Sequence, residues 1–155
     1  PELFKNGIKL ATVGHSRDAA EIKTTNYVEA VKAINERQKK EKFFEILYVS
    51  DGKVLEASTS NFFVFIGDKL ITPKGNILKG ITRNLVIKLA KKEFEVEERE
   101  LKTEELALVT EAFIAATNKD IVPVVQIDDK KIGSGKPGKN TKRLMEIFEE
   151  FVRNY

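Results

Sequence analysis

The chain has 155 residues, 41% of them apolar, which suits one domain around a single hydrophobic core. With 27 basic and 24 acidic residues the net charge is only +3, too balanced to point to nucleic acid or a membrane surface. There is no cysteine and only one histidine, His15, which excludes disulfides, thiolate metal sites and cysteine nucleophiles and leaves no imidazole cluster for a metal.

No apolar stretch approaches the roughly 18 residues of a membrane span. Residues 1–5 lack the apolar core of a signal peptide, so a soluble, cytoplasmic protein is expected. Lysine and glutamate supply 39 of the 155 residues, a bias resembling that of heat-adapted proteins.

In chain order, residues 7–13 alternate with period 2 and predict a strand, and 14–21 predict a loop. Tyr27, Val28, Val31 and Ile34 fall at helical spacing, predicting a helix over 27–40. Residues 44–49 predict a buried strand, apolar but for one glutamate near its start. Ser50-Asp51-Gly52 predicts a tight hairpin into the strand that Val54 resumes. Residues 61–66 are strongly β-prone, and Gly67-Asp68 turns the chain into 69–72.

A helix is predicted over 83–92, with Thr82 as its N-cap, and a single strand over 95–101. Thr103-Glu104-Glu105 predicts a short helix. Residues 112–116 and 121–127 predict strands, with Pro123 at an edge or a bulge. Residues 133–138 form the most flexible-looking stretch. Leu144, Ile147, Phe148 and Phe151 predict a final amphipathic helix. The pattern is that of a single α/β or α+β domain.

Three places exceed what a scaffold requires. Glu56-Ala57-Ser58-Thr59-Ser60-Asn61 is a run of small hydroxyl residues between strands; it can serve as a polar loop, or Glu56 can face a site lined by small side chains. Leu78-Lys79-Gly80-Ile81-Thr82-Arg83 opens a helix whose backbone amides, with close approach at Gly80, can cradle phosphate. It lacks the glycine spacing of the Walker and dinucleotide motifs, and Thr82 can equally be a simple cap. Lys23, in Ile22-Lys23-Thr24-Thr25-Asn26-Tyr27, lies between a loop and a helix, where a lysine drawn into a site becomes a nucleophile or base.

Together with Leu70-Ile71-Thr72-Pro73, these segments resemble, in order and spacing, the fold-type IV pyridoxal phosphate enzymes. That family includes branched-chain aminotransferases, D-amino acid aminotransferases and aminodeoxychorismate lyase. The resemblance implies their larger, C-terminal domain: a distorted, barrel-like β-sheet flanked by helices, occupying residues 1–155. The family's smaller N-terminal domain, which supplies a phosphate-binding arginine, is expected to be absent from this chain.

By resemblance, the cofactor is pyridoxal 5'-phosphate. Lys23 matches the lysine that bonds to it and then carries the proton between substrate and cofactor. Glu56 matches the acid that pairs with the ring nitrogen, Leu78 the residue packing on the ring face, and Tyr27 the tyrosine bonded to the ring's 3' oxygen. Gly80, Ile81 and Thr82 match the phosphate-binding helix start, and Thr117 a further phosphate contact. The amides of Thr117 and Asn118 match those that hold the substrate carboxylate.

Lys79 stands where many members have proline, and Asn118-Lys119 where members often have small residues. The implied activity is transamination between an amino acid, branched-chain first, and a 2-oxo acid. D-amino acid transamination and aminodeoxychorismate lyase are the enzyme alternatives, and a catalytically incomplete cofactor-domain fragment is the other. The resemblance further implies a homodimer for the full enzyme; from the balanced charge and the lack of a long apolar stretch no nucleic-acid or membrane partner is expected, and no metal is expected.

Overall fold

The computed structural model describes residues 2–14, 26–75 and 77–155, with the side chains of 26–30 excepted. Its helices are α1 (Glu2–Asn6), α2 (Asn26–Glu41), α3 (Ile81–Ala90) and α4 (Lys139–Arg153), with a 3-10 helix at Thr103–Leu108. The strands are β1 (Ile8–Gly14), β2 (Glu45–Ser50), β3 (Lys53–Ala57), β4 (Asn61–Ile66) and β5 (Lys69–Thr72). They continue with β6 (Glu95–Glu98), β7 (Leu101–Lys102), β8 (Glu111–Ala116), β9 (Asp120–Ile127) and β10 (Lys130–Lys131).

Among the described residues all ten strands join one mixed sheet, in the order β6-β5-β4-β8-β9-β1-β2-β3-β7, with β10 on β9. The β1–β2, β1–β9 and β5–β6 pairs are parallel. Strands from both halves of that order share one apolar cluster: Ile71 of β5 and Phe62 of β4 pack in the same core as Val54 of β3 and Leu101 of β7. A flat sheet would hold these strands far apart. The sheet therefore curls into a half-barrel with this core on its inner face.

Alternation along β4 divides two cores. Phe62 and Val64 point into the half-barrel, whereas Phe63 and Phe65 point outward beneath α3 and α4, against Val86, Leu89, Leu144 and Phe148. Phe63 stacks on Phe113 of β8 with centroids 4.7 Å apart, worth about 0.5–1.5 kcal/mol beyond the area buried. Buried on both faces, β4 reads as a continuous apolar run rather than an alternating one. A third cluster, Ala11, Phe43 and Ile46, is covered by Ile34 of α2. Arg37 of α2 donates to the Thr12 carbonyl at 2.9 Å and pairs with Asp128 at 3.3 Å, fastening that helix to β1.

The predicted hairpin at Asp51-Gly52 forms, with both residues at positive φ (52° and 73°). Three expectations are corrected. The single strand over 95–101 is two strands: β6 pairs with β5 at one end of the sheet, β7 with β3 at the other. Alternation along the chain carries no information about which edge each half joins. Helix α3 starts at Ile81 with Gly80 as N-cap, and Thr82 provides no side-chain cap.

Pro123 lies in a central strand opposite Phe113, just before the register shift between Ile8 and Lys9 where β1 begins to pair. The strand is not an edge, but the other expected setting, a bulge, lies beside the proline, where a missing donor is best tolerated. The flexible-looking stretch 133–138 is built into the fold, with Gly133 at positive φ so close to the Thr110 carbonyl that no Cβ would fit. The short α1 has no counterpart in the sequence reading.

Candidate active site

A cleft of about 210 Å³ opens where four segments meet: the end of β3, the 58–60 turn into β4, the loop leading into α3, and the end of β8. The link between β3 and β4 crosses between the two halves of the sheet, closed by a bond from the Ala57 amide to the Ser60 carbonyl (2.9 Å). This crossing brings the small hydroxyl run to the cleft, with Ser60 buried and Ser58 and Thr59 exposed at its mouth.

At one wall stands Glu56, only 7% exposed. Its carboxylate accepts the Leu78 amide at 3.0 Å, while Asn61 of β4 donates to the Leu78 carbonyl at 2.6 Å. Both backbone groups of Leu78 are thus held from the sheet, leaving its side chain 74% exposed beside the cleft. The backbone at Gly80 runs close to β4: a Cβ there would lie 3.0 Å from the Asn61 side-chain oxygen, which would have to give way by a few tenths of an ångström.

The opposite wall is the start of α3. The first intrahelical bond runs from the Asn84 amide to the Gly80 carbonyl (3.1 Å), so the amides of Ile81, Thr82 and Arg83 precede the ladder. No side chain caps them among the described residues, and the first turn holds no acid. The Thr82 and Thr117 hydroxyls lie 3.2 Å apart, and both residues line the cleft. Arg83 turns inward, 1% exposed, donating to the Pro73 carbonyl (3.2 Å) and pairing with Glu98 (3.1 Å). An uncapped helix start with two hydroxyls suits a phosphate, and a buried carboxylate in the same cleft suits a protonated ring nitrogen. The donor set therefore fits pyridoxal 5'-phosphate.

Of the residues expected from sequence, Glu56, Leu78, Gly80, Thr82 and Thr117 come together as cleft lining. The Ile81 side chain is 84% exposed, so only its backbone faces the helix opening. Asn118 sits in the β8–β9 turn outside the lining, accepting from Lys119 at 3.4 Å. Lys23, His15 and the side chain of Tyr27 lie outside the described residues.

Sequence reasoning gives no role to Asn61 or Lys119, and above all misses Glu45, whose carboxylate is 6% exposed and binds the 58–60 turn. A lone acid within the apolar strand 44–49 was the available signal, because a carboxylate in such a strand must have partners.

The amino-transferase class IV family matches residues 5–127, and the chain belongs to it. It is 47% identical over 112 residues to a protein of Aquifex aeolicus described as a probable branched-chain-amino-acid aminotransferase, covering 70% of this chain and 36% of that one. It is 31% identical over 152 residues to a D-alanine aminotransferase of Bacillus licheniformis, covering 96% and 53%.

The crystal structure of the T.th. branched-chain amino acid aminotransferase with pyridoxamine 5'-phosphate superposes with a TM-score of 0.83 at 29% identity, covering 99% of this chain and 53% of that one. That structure has the same curled half-barrel flanked by helices. The chain spans about half the length of this solved relative, and it is homologous to pyridoxal phosphate-dependent aminotransferases. Among the described residues no helix is long and apolar enough to cross a membrane, and no cluster of metal-ligating side chains occurs.

Proposed function

We propose that this chain is the pyridoxal phosphate-binding domain of an aminotransferase that moves an amino group between a branched-chain amino acid and a 2-oxo acid. The observation that carries the reading is the pairing, in one cleft, of the buried Glu56 carboxylate with the uncapped start of α3. The cofactor, when bound, supplies a ring that withdraws electrons from the reacting carbon.

The chain's residues hold that ring in place. Glu56 keeps a proton on the ring nitrogen. The amides of Ile81 and Thr82, with the Thr82 and Thr117 hydroxyls, bind the phosphate. Leu78 covers one ring face, excluding water from it, and Tyr27 bonds to the 3' oxygen. Lys23 attaches the cofactor and then moves the proton at the substrate Cα, a role suited to a lysine drawn out of water. The amides of Thr117 and Asn118 receive the substrate carboxylate.

Likeness to the Bacillus licheniformis enzyme favours D-amino acid transamination as the second reading. The discriminating experiment supplies pyridoxal phosphate and follows its conversion to the amino form, by absorbance, with L-leucine, L-valine or D-alanine as donor. Conversion by the L-branched donors is expected, and Glu56→Gln should slow it on the order of 100-fold without lowering Tm. Conversion by D-alanine alone selects the second reading; conversion by no donor overturns both.

A further inference from the structure

Two turns that close the cleft are tied together by side chains with no part in the chemistry above. Glu45, at the start of β2, receives Ser58 Oγ (3.3 Å), the Thr59 amide (2.7 Å) and Thr59 Oγ1 (2.9 Å) on one oxygen, and Ser60 Oγ (2.8 Å) on the other. Lys119, in the β8–β9 turn, donates from Nζ to Thr59 Oγ1 at 2.7 Å and to Asn118 Oδ1 at 3.4 Å, and lies 3.6 Å from the second Glu45 oxygen. The Thr59 hydroxyl thus accepts from the ammonium and donates to the carboxylate, a polarised chain of bonds. The Lys119 side chain is 15% exposed and that of Glu45 6%, while Thr59, which links them, lies at the surface.

We propose that Glu45, Thr59 and Lys119 form a clasp that fixes the β8–β9 turn against the 58–60 turn and so positions Thr117, two residues before Lys119, against Thr82 for a phosphate monoester. The proposal rests on the cofactor reading above, and the three are positioning residues. Without the ammonium this tie between the turns is lost, although each turn keeps its own backbone bonds, Ala57 to Ser60 and Lys119 to Ala116. The fold should therefore survive while the hydroxyl pair loses its registry.

The test titrates the chain calorimetrically with pyridoxal 5'-phosphate and with pyridoxal, which lacks the phosphate, and follows hydrogen exchange without ligand. Lys119→Met should weaken pyridoxal phosphate binding about tenfold, leave pyridoxal within about twofold, and speed exchange in both turns together. Lys119→Arg and Lys119→Gln, which can still donate to Thr59, should restore affinity and protection.

Unchanged affinity and exchange in Lys119→Met overturns the clasp, as does rescue by arginine but not glutamine, which would make the effect one of charge alone. A wild-type chain that binds pyridoxal phosphate no tighter than pyridoxal overturns the cofactor reading and the positioning role with it. Weakening by Thr82→Val alongside an unaffected Lys119→Met overturns the clasp alone.

Discussion

Helices α3 and α4 start on nearly the same frame. Each has a glycine N-cap in extended geometry, Gly80 at φ −68°, ψ 159° and Gly138 at φ −82°, ψ 164°, and neither cap offers a side chain. Each has a threonine in its first turn, Thr82 and Thr141. They differ in what meets the exposed amides. At α4 the carboxylate of Glu111, 8% exposed, accepts the Asn140 amide at 3.2 Å and the Thr141 amide at 2.8 Å. At α3 no carboxylate arrives among the described residues, and the amides open onto a cleft. A helix start is an electropositive end that favours an anion. One is met from within, by Glu111; the other is the one proposed above to take the phosphate.

The largest expected effect removes the internal anion. Glu111→Ala should destabilise the chain by about 2 kcal/mol, because two charge-assisted bonds go and buried amides are left unpaired. Thermal unfolding should show a fall in Tm of roughly 5 °C, with pyridoxal phosphate affinity unchanged. The converse change, Thr82→Val, should cost less than about 1 kcal/mol of stability yet weaken the cofactor about tenfold by titration. If both variants lost stability and affinity alike, the two helix starts would not differ as described.

The smallest effect concerns carboxylates that touch neither helix start. Arg99 and the Lys102 amide hold the Glu105 carboxyl below its usual 4.5; Lys69 and Arg99 do so for Glu97, and Arg143 for Glu93. Because these values are depressed in the folded chain, the stability they contribute is present above about pH 4.5 and lost as pH falls through the folded values. Tm should fall on acidification below about pH 4.5, and Glu105→Gln should shallow that fall. A fall of the same slope in the variant would remove Glu105 from the account.

Much of this was legible in the chain because it is local. Helical spacing gave α2 and α4, Asp51-Gly52 gave its hairpin, and the hydroxyl run with 78–83 gave two walls of the cleft. What was illegible depends on partners distant in sequence. Glu111 reaches amides 29 and 30 residues away and Lys119 a hydroxyl 60 residues away, and no local pattern marks either meeting. Thr82 read as a cap because glycine and threonine both fill that role. Only the Gly80 backbone and the Thr82–Thr117 contact separate the two possibilities.

The central claim is that the open helix start and Glu56 form a pyridoxal phosphate site served by Lys23. Its most direct test is borohydride reduction of the chain after adding the cofactor, followed by peptide mapping. A stable label on Lys23 is expected, diminished in Thr82→Val. No stable label, or one spread over surface lysines with Lys23 unmodified, would contradict it.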